Sequence, residues 1–370
     1  MTASHATTGP FAISWRVEMR EPIMCAALGH RTLFLLPDLN SRDLVAHSTV
    51  DGTVRWRAPA SGIRTKVLWC DPLLVLYGQR SEGSEAYSCL TAYEEETGRQ
   101  VWTHSFPHAK QNLFVPVSLG GSFLHPGTGG LAYLRDGRTG AVQNTYELSS
   151  ARPHMHVLMG AETIYSLAWQ GNGIEFVAID RVEKDVLFRC GVPLDPHEDS
   201  AVILGTHALV TASEKRRAVI RDGRTGAVMR KLPFAYPAAG AAFHGDFLFL
   251  RTLQPEKNFP PGLYRIACNG EEIAHFGQLQ ERITPRVEIL DGLLVVRSLE
   301  RSDVYDPASL ELVQSWIGPT WGAWDHFIVF DAGGRKGRRQ LVRLERCAGD
   351  KLLDIKPPKE VAARKQLRKR

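Results

Sequence analysis

The sequence has few cysteines, no long apolar run and none of the short motifs that mark the common catalytic sites. Its six cysteines lie at least 19 residues apart, which excludes the CxxC spacing of zinc and redox sites. No apolar stretch approaches the roughly 18 residues that a membrane-spanning helix needs. The signatures G-x-x-x-x-G-K-[ST], H-E-x-x-H and G-x-S-x-G are also absent, so no common nucleotide, zinc-protease or hydrolase site is indicated.

The N-terminal residues do not have the pattern of a secretory signal. The first ten residues are polar, with no basic segment followed by an apolar one, so no secretory signal is predicted and a cytoplasmic protein is expected. The cysteines are then expected to be free thiols on buried strands. With 44% hydrophobic and 23% charged residues in 370, the chain has enough apolar material for a core, which excludes global disorder.

Positive charge is concentrated at the C-terminus. Residues Lys356–Arg370 hold seven lysines and arginines against Glu360, a net charge of +6, while the whole chain carries +5. The other 355 residues therefore sum to −1. We predict a nearly neutral folded body, residues 12–355, between a disordered N-terminus, residues 1–11, and a basic tail, residues 356–370.

Repetition organises the body. The octapeptide RDGRTGAV occurs at Arg135–Val142 and again at Arg221–Val228. Looser copies of the pattern place eight turns, from residue 52 to residue 349, at intervals of 39 to 46 residues. Short runs rich in Val, Ile, Leu, Tyr and Phe fill the intervals, with no convincing amphipathic helix before the tail. The fold class predicted is all-β, an eight-bladed β-propeller of about 42-residue four-stranded repeats.

Tryptophans follow several turns. Trp56 and Trp102 each come four residues after the glycine of a turn, and Trp316 lies in the corresponding strand of its unit. We expect these side chains to pack between blades, each with a partner for its indole N–H. Trp15 lies in an isolated strand, residues 12–17, which we predict closes the ring by pairing with the last blade. A second candidate for that outermost position is Lys351–Ile355, and the sequence leaves the choice open.

The A-x-D-x-x-T-G pattern followed by an aromatic residue resembles the PQQ-like, or quinoprotein-type, β-propeller repeat over residues 12–355. That family holds quinone-dependent dehydrogenases and non-enzymatic scaffolds such as the outer-membrane assembly lipoprotein. The dehydrogenases carry adjacent cysteines over the cofactor, and no two cysteines are adjacent here. Neither their calcium ligands nor a lipoprotein signal is found. The resemblance implies an eight-bladed propeller closer to the scaffolds than to the dehydrogenases, with no cofactor or metal expected, and leaves the activity open.

Two sets of polar residues are candidates for a catalytic or metal-binding role. Asp136, Asp180, Asp222 and Asp306 recur at one position of the repeat, and a carboxylate beside a tight turn typically caps backbone N–H groups. A catalytic role would need one copy to differ from the others. His154 and His156 form a His-x-His on a predicted strand, half of a metal site, with no third ligand nearby in sequence.

The connections between the second and third strands of the units vary in length and charge. They are predicted at Asp38–Asp43, Gln79–Glu85, Ser213–Arg217, Gln254–Gly262 and Asp331–Arg339. Two of them are basic, and we predict that they contact partners; their residues are Lys215, Arg216, Arg217, Arg335, Lys336, Arg338 and Arg339. The tail is predicted to add auxiliary contacts through Arg364, Lys365, Arg368, Lys369 and Arg370. The alternative for both is a solvated, non-binding surface.

The sequence therefore favours a non-catalytic scaffold, a rigid propeller that presents variable loops to partner proteins in a complex. One alternative is a nucleic-acid-associated subunit that binds phosphates, or another anionic surface, through the tail and the connection Asp331–Arg339 of the eighth repeat. The other is a quinone- or metal-dependent enzyme with its site in the central channel.

Overall fold

The computed structural model describes the chain in a series of ranges, and every structural statement below refers to them. They are residues 8–19, 23, 25–36, 43–60, 63–82, 85–107, 116–127, 131–148, 154–170, 173–192, 203–204, 208–212, 217–235, 240–252, 259–277, 286–290, 292–297, 301–317, 320–324, 327–331 and 339–352. Within these ranges the regular structure is all β-strand, with no helix, so the all-β part of the prediction is confirmed.

The chain forms two compact units. The first unit comprises Ile23–Val202 and Thr206–Val228, and the second comprises Met1–Pro22, Ile203–Gly205 and Met229–Arg370. We describe each unit by itself.

The first unit contains four complete four-stranded antiparallel sheets, each built from strands consecutive in the chain. The strands of these sheets are β2 (Cys25–Leu28), β3 (Thr32–Leu36), β4 (Asp43–Ser48) and β5 (Val54–Pro59); β6 (Ile63–Cys70), β7 (Leu73–Glu82), β8 (Glu85–Glu94) and β9 (Gln100–Pro107); β10 (Val117–Leu119), β11 (Ser122–Pro126), β12 (Leu131–Asp136) and β13 (Val142–Glu147); and β14 (His154–Met159), β15 (Thr163–Gln170), β16 (Gly173–Asp180) and β17 (Val186–Val192).

The second unit contains three complete sheets of the same kind. Their strands are β22 (Ala241–His244), β23 (Phe247–Thr252), β24 (Gly262–Ala267) and β25 (Ile273–Phe276); β26 (Arg286–Leu290), β27 (Leu293–Arg297), β28 (Arg301–Tyr305) and β29 (Leu312–Ile317); and β30 (Thr320–Trp324), β31 (Phe327–Asp331) and β32 (Arg339–Leu352) with β1 (Thr8–Met19).

The single eight-bladed ring predicted from the sequence is corrected by this grouping. Four complete sheets lie in one unit and three in the other, and the strands between residues 203 and 235 are divided. The first unit holds the antiparallel pair β19 (Ala208–Ala212) and β20 (Arg217–Asp222), while β18 (Ile203–Leu204) and most of β21 (Val228–Ala235) belong to the second. Turn spacing counts repeats along a chain, but it contains no information on how the repeats associate in space.

The N-terminal strand is the outermost strand of its sheet, in the order β1-β32-β31-β30. It begins at Thr8, four residues earlier than predicted, and Trp15 pairs with Arg343 in register. The other candidate for this position does not form a separate strand in the described part, because Lys351 and Leu352 continue β32. The basic tail, from residue 356, lies outside the described residues.

Apolar clusters join neighbouring sheets within a unit. One cluster combines Leu73 and Val75 of the second repeat with Phe123 of the third, against Trp102 and Phe106. The corresponding cluster in the second unit combines Phe249 with Leu294 and Tyr305 of the following sheet, among others. The second and third sheets of the first unit, which contribute to clusters on two sides, therefore bury both faces, which explains why their inner strands are apolar runs rather than alternating patterns. No helix in the described residues is long and apolar enough to span a membrane.

The turn between third and fourth strands requires a left-handed residue. Gly98, Gly140 and Gly226 take this position with φ near +70°, whereas Lys184 takes it at 67° and Leu310 at 64°. Leu310 packs against the apolar cluster of its unit, while Lys184 is exposed. The left-handed conformation costs a residue with a Cβ about 1 kcal/mol or more.

We therefore expect Lys184→Gly to raise the free energy of unfolding by about 1 kcal/mol. Lys184→Ala is the matched control, because it removes the same side chain but keeps the Cβ, and it should change stability by less than about 0.5 kcal/mol. Urea unfolding midpoints of the three proteins test this. Equal midpoints for the glycine and alanine variants would mean that the turn stores no such strain.

Candidate functional site

The predicted partner-binding residues lie largely outside the described residues. This holds for Lys215, Arg216, Arg335, Lys336 and Arg338, and for the tail residues Arg364, Lys365, Arg368, Lys369 and Arg370. Of the predicted set, Arg217 is half-buried at the start of β20, and Arg339 starts β32, where it pairs with Met19 and Asp331. The two basic segments thus lie between β19 and β20 and between β31 and β32.

The connections between second and third strands differ strongly in the first unit. Residues Gln79–Glu85 were predicted as a loop, but β7 extends to Glu82 and β8 starts at Glu85, giving ten paired positions. The β11–β12 hairpin has five. At about 3.4 Å per residue, the five additional pairs make the β7–β8 hairpin about 17 Å longer than the β11–β12 hairpin. The sequence prediction was wrong here because a polar, charged segment was interpreted as a loop, whereas its backbone continues the two paired strands.

The recurring carboxylates cap turns, as predicted. Oδ1 of Asp136 accepts hydrogen bonds from the backbone N–H of Thr139 at 2.8 Å and from its hydroxyl at 3.0 Å. Asp222 accepts the same pair from Thr225 at 2.7 and 2.8 Å. Asp180 and Asp306 each accept two backbone N–H groups of their own turns. The four copies share one structural role, and the capping prediction is confirmed.

The electrostatics of these carboxylates also fit a structural role. The backbone N–H of Thr139 lowers the pKa of Asp136 below its ordinary value, and that of Thr225 does so for Asp222. The bonds therefore stabilise the fold above the ordinary Asp pKa, near 3.8, and this contribution is lost as the pH falls through the lowered value. A general acid at neutral pH needs the opposite shift.

The tryptophans connect one repeat to the next. Nε1 of Trp56, in the first repeat, donates to the carbonyl of Glu95 in the second at 2.8 Å. Nε1 of Trp102, in the second, donates to the carbonyl of Gly137 in the third at 3.1 Å. The acceptors follow Glu94 and Asp136, which are the acidic residues at corresponding positions of the repeat. The predicted packing between repeats, with a partner for the indole N–H, is confirmed for these two residues.

Other repeats make the same connection with different side chains. The hydroxyl of Tyr146 donates to the carbonyl of Arg181 at 2.7 Å, and that of Tyr165 to the carbonyl of Gly223 at 2.8 Å. In the second unit, Nη1 of Arg265 donates to the carbonyls of Pro307 and Ala308 at 3.3 and 2.6 Å. Sequence analysis missed all three donors, because the acceptor is a backbone carbonyl and the donors come from different strand positions of their repeats.

The turn glycines complete each joint. A Cβ on Gly98 would lie 2.6 Å from the ring of Trp56, and one on Gly226 would lie 2.4 Å from the ring of Phe188. A Cβ on Gly140 would lie 2.5 Å from Nε2 of His104. Glycine is therefore required at these positions for two reasons: the positive φ of the turn and the close approach of a side chain from the preceding repeat.

The second unit contains two buried arginines at matching positions. Arg251 and Arg297 are each the fifth residue of the second strand in neighbouring sheets, and they are only 4% and 5% exposed. Arg297 forms a salt bridge with Glu288 of β26. Glu288 and Arg297 lie diagonally across the β26–β27 hairpin, because Glu288 pairs directly with Val295, two residues before Arg297. This pair was missed from the sequence, although opposite charges at diagonal positions of a hairpin are a readable signal.

The comparisons with known proteins agree with this architecture. The sequence profile PQQ_2, described as outer membrane protein assembly factor BamB, matches residues 12–232, more than half of the chain. The chain belongs to this PQQ_2 family. The resemblance to PQQ-like repeats found in the sequence is thereby confirmed. Among curated proteins, no relative matches in sequence at a significant level.

Solved structures share the propeller fold of the PQQ_2 family. The computationally designed Ika8 protein aligns with a TM-score of 0.61 at 12% identity, covering 90% of this chain and 99% of its own. BamB from Moraxella catarrhalis aligns at 0.59 and 13%, covering 92% and 99%. The quinohemoprotein alcohol dehydrogenase ADHIIG from Pseudomonas putida HK5 aligns at 0.59 and 10%, covering 94% and 78%. At these identities the likeness shows the fold alone.

The PQQ_2 family thus places enzymes and non-enzymes on one fold, and a metal site was one feature to examine. The predicted His-x-His lies at the start of β14, where the pairing with β15 is irregular between His154 and His156; the side chains of both lie outside the described part. Among the described residues, no three His, Cys, Asp or Glu side chains gather as metal ligands.

Proposed function

We propose that this chain is a non-catalytic scaffold that binds partner proteins through the variable connections between second and third strands. One observation carries the proposal: the repeat's recurrent polar residues are used for internal joints. Asp136 and Asp222 cap turns, and Trp56 and Trp102 hold the following repeat. What differs from repeat to repeat is the opposite end of each sheet, where recognition is free to vary.

The geometry separates the two ends of a sheet. In the third repeat Ser122 pairs with Asp136 beside the capped turn, whereas Pro126 pairs with Ala132 at the other end, next to residues 128–130. The same register in the fifth repeat puts Ala208 opposite Asp222 and Ala212 opposite Ala218. Substitutions in the connections are therefore remote from the joints that hold the repeats together.

The two basic connections define the partner chemistry. Residues Lys215 and Arg216 precede β20 in the first unit, and Arg335, Lys336 and Arg338 precede β32 in the second. Each is suited to an acidic protein surface, which would raise the rate of encounter and select against basic partners. The tail, residues 356–370, serves as an auxiliary anchor, and the cytoplasm is the proposed location.

Charge reversal tests the assignment. The variant Lys215→Glu/Arg216→Glu should reduce recovery of a stoichiometric partner about tenfold, in line with the loss of rim charges. Arg138→Glu/Arg224→Glu is the matched control, because it changes the charge equally on two exposed arginines of the capped turns. It should leave recovery unchanged. Equal recovery with both variants would contradict the proposed surface.

Analysis of the material that co-purifies with the chain also distinguishes the other two candidate functions. Nucleic-acid absorbance that is lost on deletion of residues 356–370, with binding that weakens steeply with salt, would replace the scaffold with a nucleic-acid-associated subunit. A bound quinone, or alcohol-dependent reduction of an electron acceptor, would replace it with an enzyme.

A further inference from the structure

The repeated octapeptide places two identical turns in different surroundings. In the third repeat Nη1 of Arg135 donates to the carbonyl of Gly140 at 2.6 Å, and in the fifth Nη1 of Arg221 donates to the carbonyl of Gly226 at 2.9 Å. The two arginines therefore close their turns in the same way. The third repeat, unlike the fifth, has a histidine beside the arginine on the neighbouring strand: Nε of Arg135 donates to Nε2 of His125 at 2.7 Å.

His125 is held as a neutral imidazole by this bond. Its side chain is 1% exposed, with its ring centroid 5.0 Å from that of Phe106 and 5.5 Å from that of Tyr133. A nitrogen that accepts a hydrogen bond cannot carry a proton, so the ring proton must be on Nδ1. Burial lowers the pKa of the Arg135 guanidinium, because desolvation penalises the charged form.

A second histidine meets the same turn from the preceding repeat. His104 of β9 lies against Gly140, and its buried Nε2 has no hydrogen-bond partner among the residues that the structure describes. Its ring centroid is 5.3 Å from Trp102, the residue that joins the second repeat to the third. Among the described residues, the titratable groups in contact with His125 are Arg135 and Tyr133 of β12, while His104 of β9 lies against Gly140 of the same turn. The carboxylate of Asp136 is occupied by Thr139.

The fifth repeat has no imidazole at either position. His125 is the fourth residue from Ser122, which pairs with Asp136, and Thr211 is the fourth from Ala208, which pairs with Asp222. His104 follows the turn residue Gly98 by six positions, as Cys190 follows Lys184. The chain therefore contains its own control for the effect of the histidines.

We propose that the joint between the second and third repeats is a pH-responsive element, in which protonation of His125 removes the acceptor of Arg135 and loosens the contact. A proton on Nε2 would oppose an N–H and a cation at 2.7 Å in a buried site, which has no favourable arrangement. The joint must open before the ring takes up a proton. Acidification then favours the open state, whereas the joint at the fifth repeat does not respond.

Hydrogen exchange on the full chain measures this directly. Protection of Ser122–Pro126 and Leu131–Asp136 is compared with that of Arg217–Asp222, each relative to the same segment in the unfolded chain. An imidazole released into water titrates near its ordinary value, about 6.5. Below that pH, protection in the third repeat should fall by up to about tenfold per pH unit, while protection in the fifth repeat stays constant. An equal response of both repeats would overturn the proposal.

The variant His125→Gln separates protonation from general acid sensitivity. The glutamine Oε1 accepts from Arg135 and does not titrate, so the response of the third repeat should disappear; a full response in this variant would refute the role of His125. If the variant does not fold, ring-nitrogen NMR of the wild-type protein decides. His125 should remain neutral, protonated on Nδ1, at a pH where His30, whose pKa Asp71 raises, is already charged. A doubly protonated His125 in an intact joint would overturn the proposal.

Discussion

Gly98→Ala is expected to lower the free energy of unfolding by about 3 kcal/mol. About 1 to 2 kcal/mol comes from placing a Cβ in the left-handed region, at φ 69°. The rest comes from the contact with Trp56, 2.6 Å from the added Cβ, because overpacking at a rigid contact costs about 1 to 3 kcal/mol. Trp56 cannot move freely, since its indole N–H donates to the carbonyl of Glu95. Urea unfolding measures the change.

Gly270→Ala is the matched control for this substitution. Gly270 has a φ of 92°, but an added Cβ would have no atom within 4 Å, so only the backbone cost of about 1 to 2 kcal/mol applies. A double-mutant cycle with Trp56→Ala isolates the contact. In the Trp56→Ala background the ring is gone, so Gly98→Ala should cost no more than Gly270→Ala. Equal costs for Gly98→Ala and Gly270→Ala would show that the joint tolerates the extra atom.

Glu288→Ala is expected to cost about 3 kcal/mol, because it leaves the guanidinium of Arg297 buried without its countercharge. Arg297 is 5% exposed, and Glu288 is 32% exposed. Among the described residues, Nε of Arg297 also has no hydrogen-bond partner, so none of them provides a second acceptor for this nitrogen. Replacing both residues, as Glu288→Leu/Arg297→Met, should be nearly neutral, since an apolar pair avoids the desolvation of two charges.

An exposed salt bridge provides the control. Glu94 is also 32% exposed, but its partner Arg99 is 70% exposed. Since water solvates that guanidinium after the carboxylate is removed, Glu94→Ala should lower the free energy of unfolding much less than Glu288→Ala does. If the two single substitutions cost the same, burial of the arginine is not what determines the effect.

Residues of the capped turns were the most predictable part of the molecule. The carboxylate, the threonine and the glycine act within one turn, so a local pattern identifies Asp136, Thr139 and Gly140 together. Trp56 and Trp102 were predictable because they follow a turn at a fixed distance. The donors Tyr146, Tyr165 and Arg265 were not, because a carbonyl acceptor leaves no trace in the sequence and three different strands supply the side chain.

Features that depend on association in space were beyond the sequence. The spacing of turns indicated the number of repeats, but the division into two units depends on contacts between distant segments. Residues Gln79–Glu85 were predicted as a loop because polar and charged residues dominate this segment, whereas the pairing of β7 with β8 continues as far as Glu82 and Glu85. The basic connections and the tail, which lie outside the described residues, stay predictions.

The most direct test of the scaffold function is the composition of the native complex. The full-length protein is purified from its own source under mild conditions, and the eluate is analysed by mass spectrometry together with its absorbance at the protein and nucleic-acid maxima. The account predicts a stoichiometric protein partner that is lost with Lys215→Glu/Arg216→Glu and kept with Arg138→Glu/Arg224→Glu. A chain that purifies alone, or with a bound redox cofactor and substrate-dependent turnover, would contradict it.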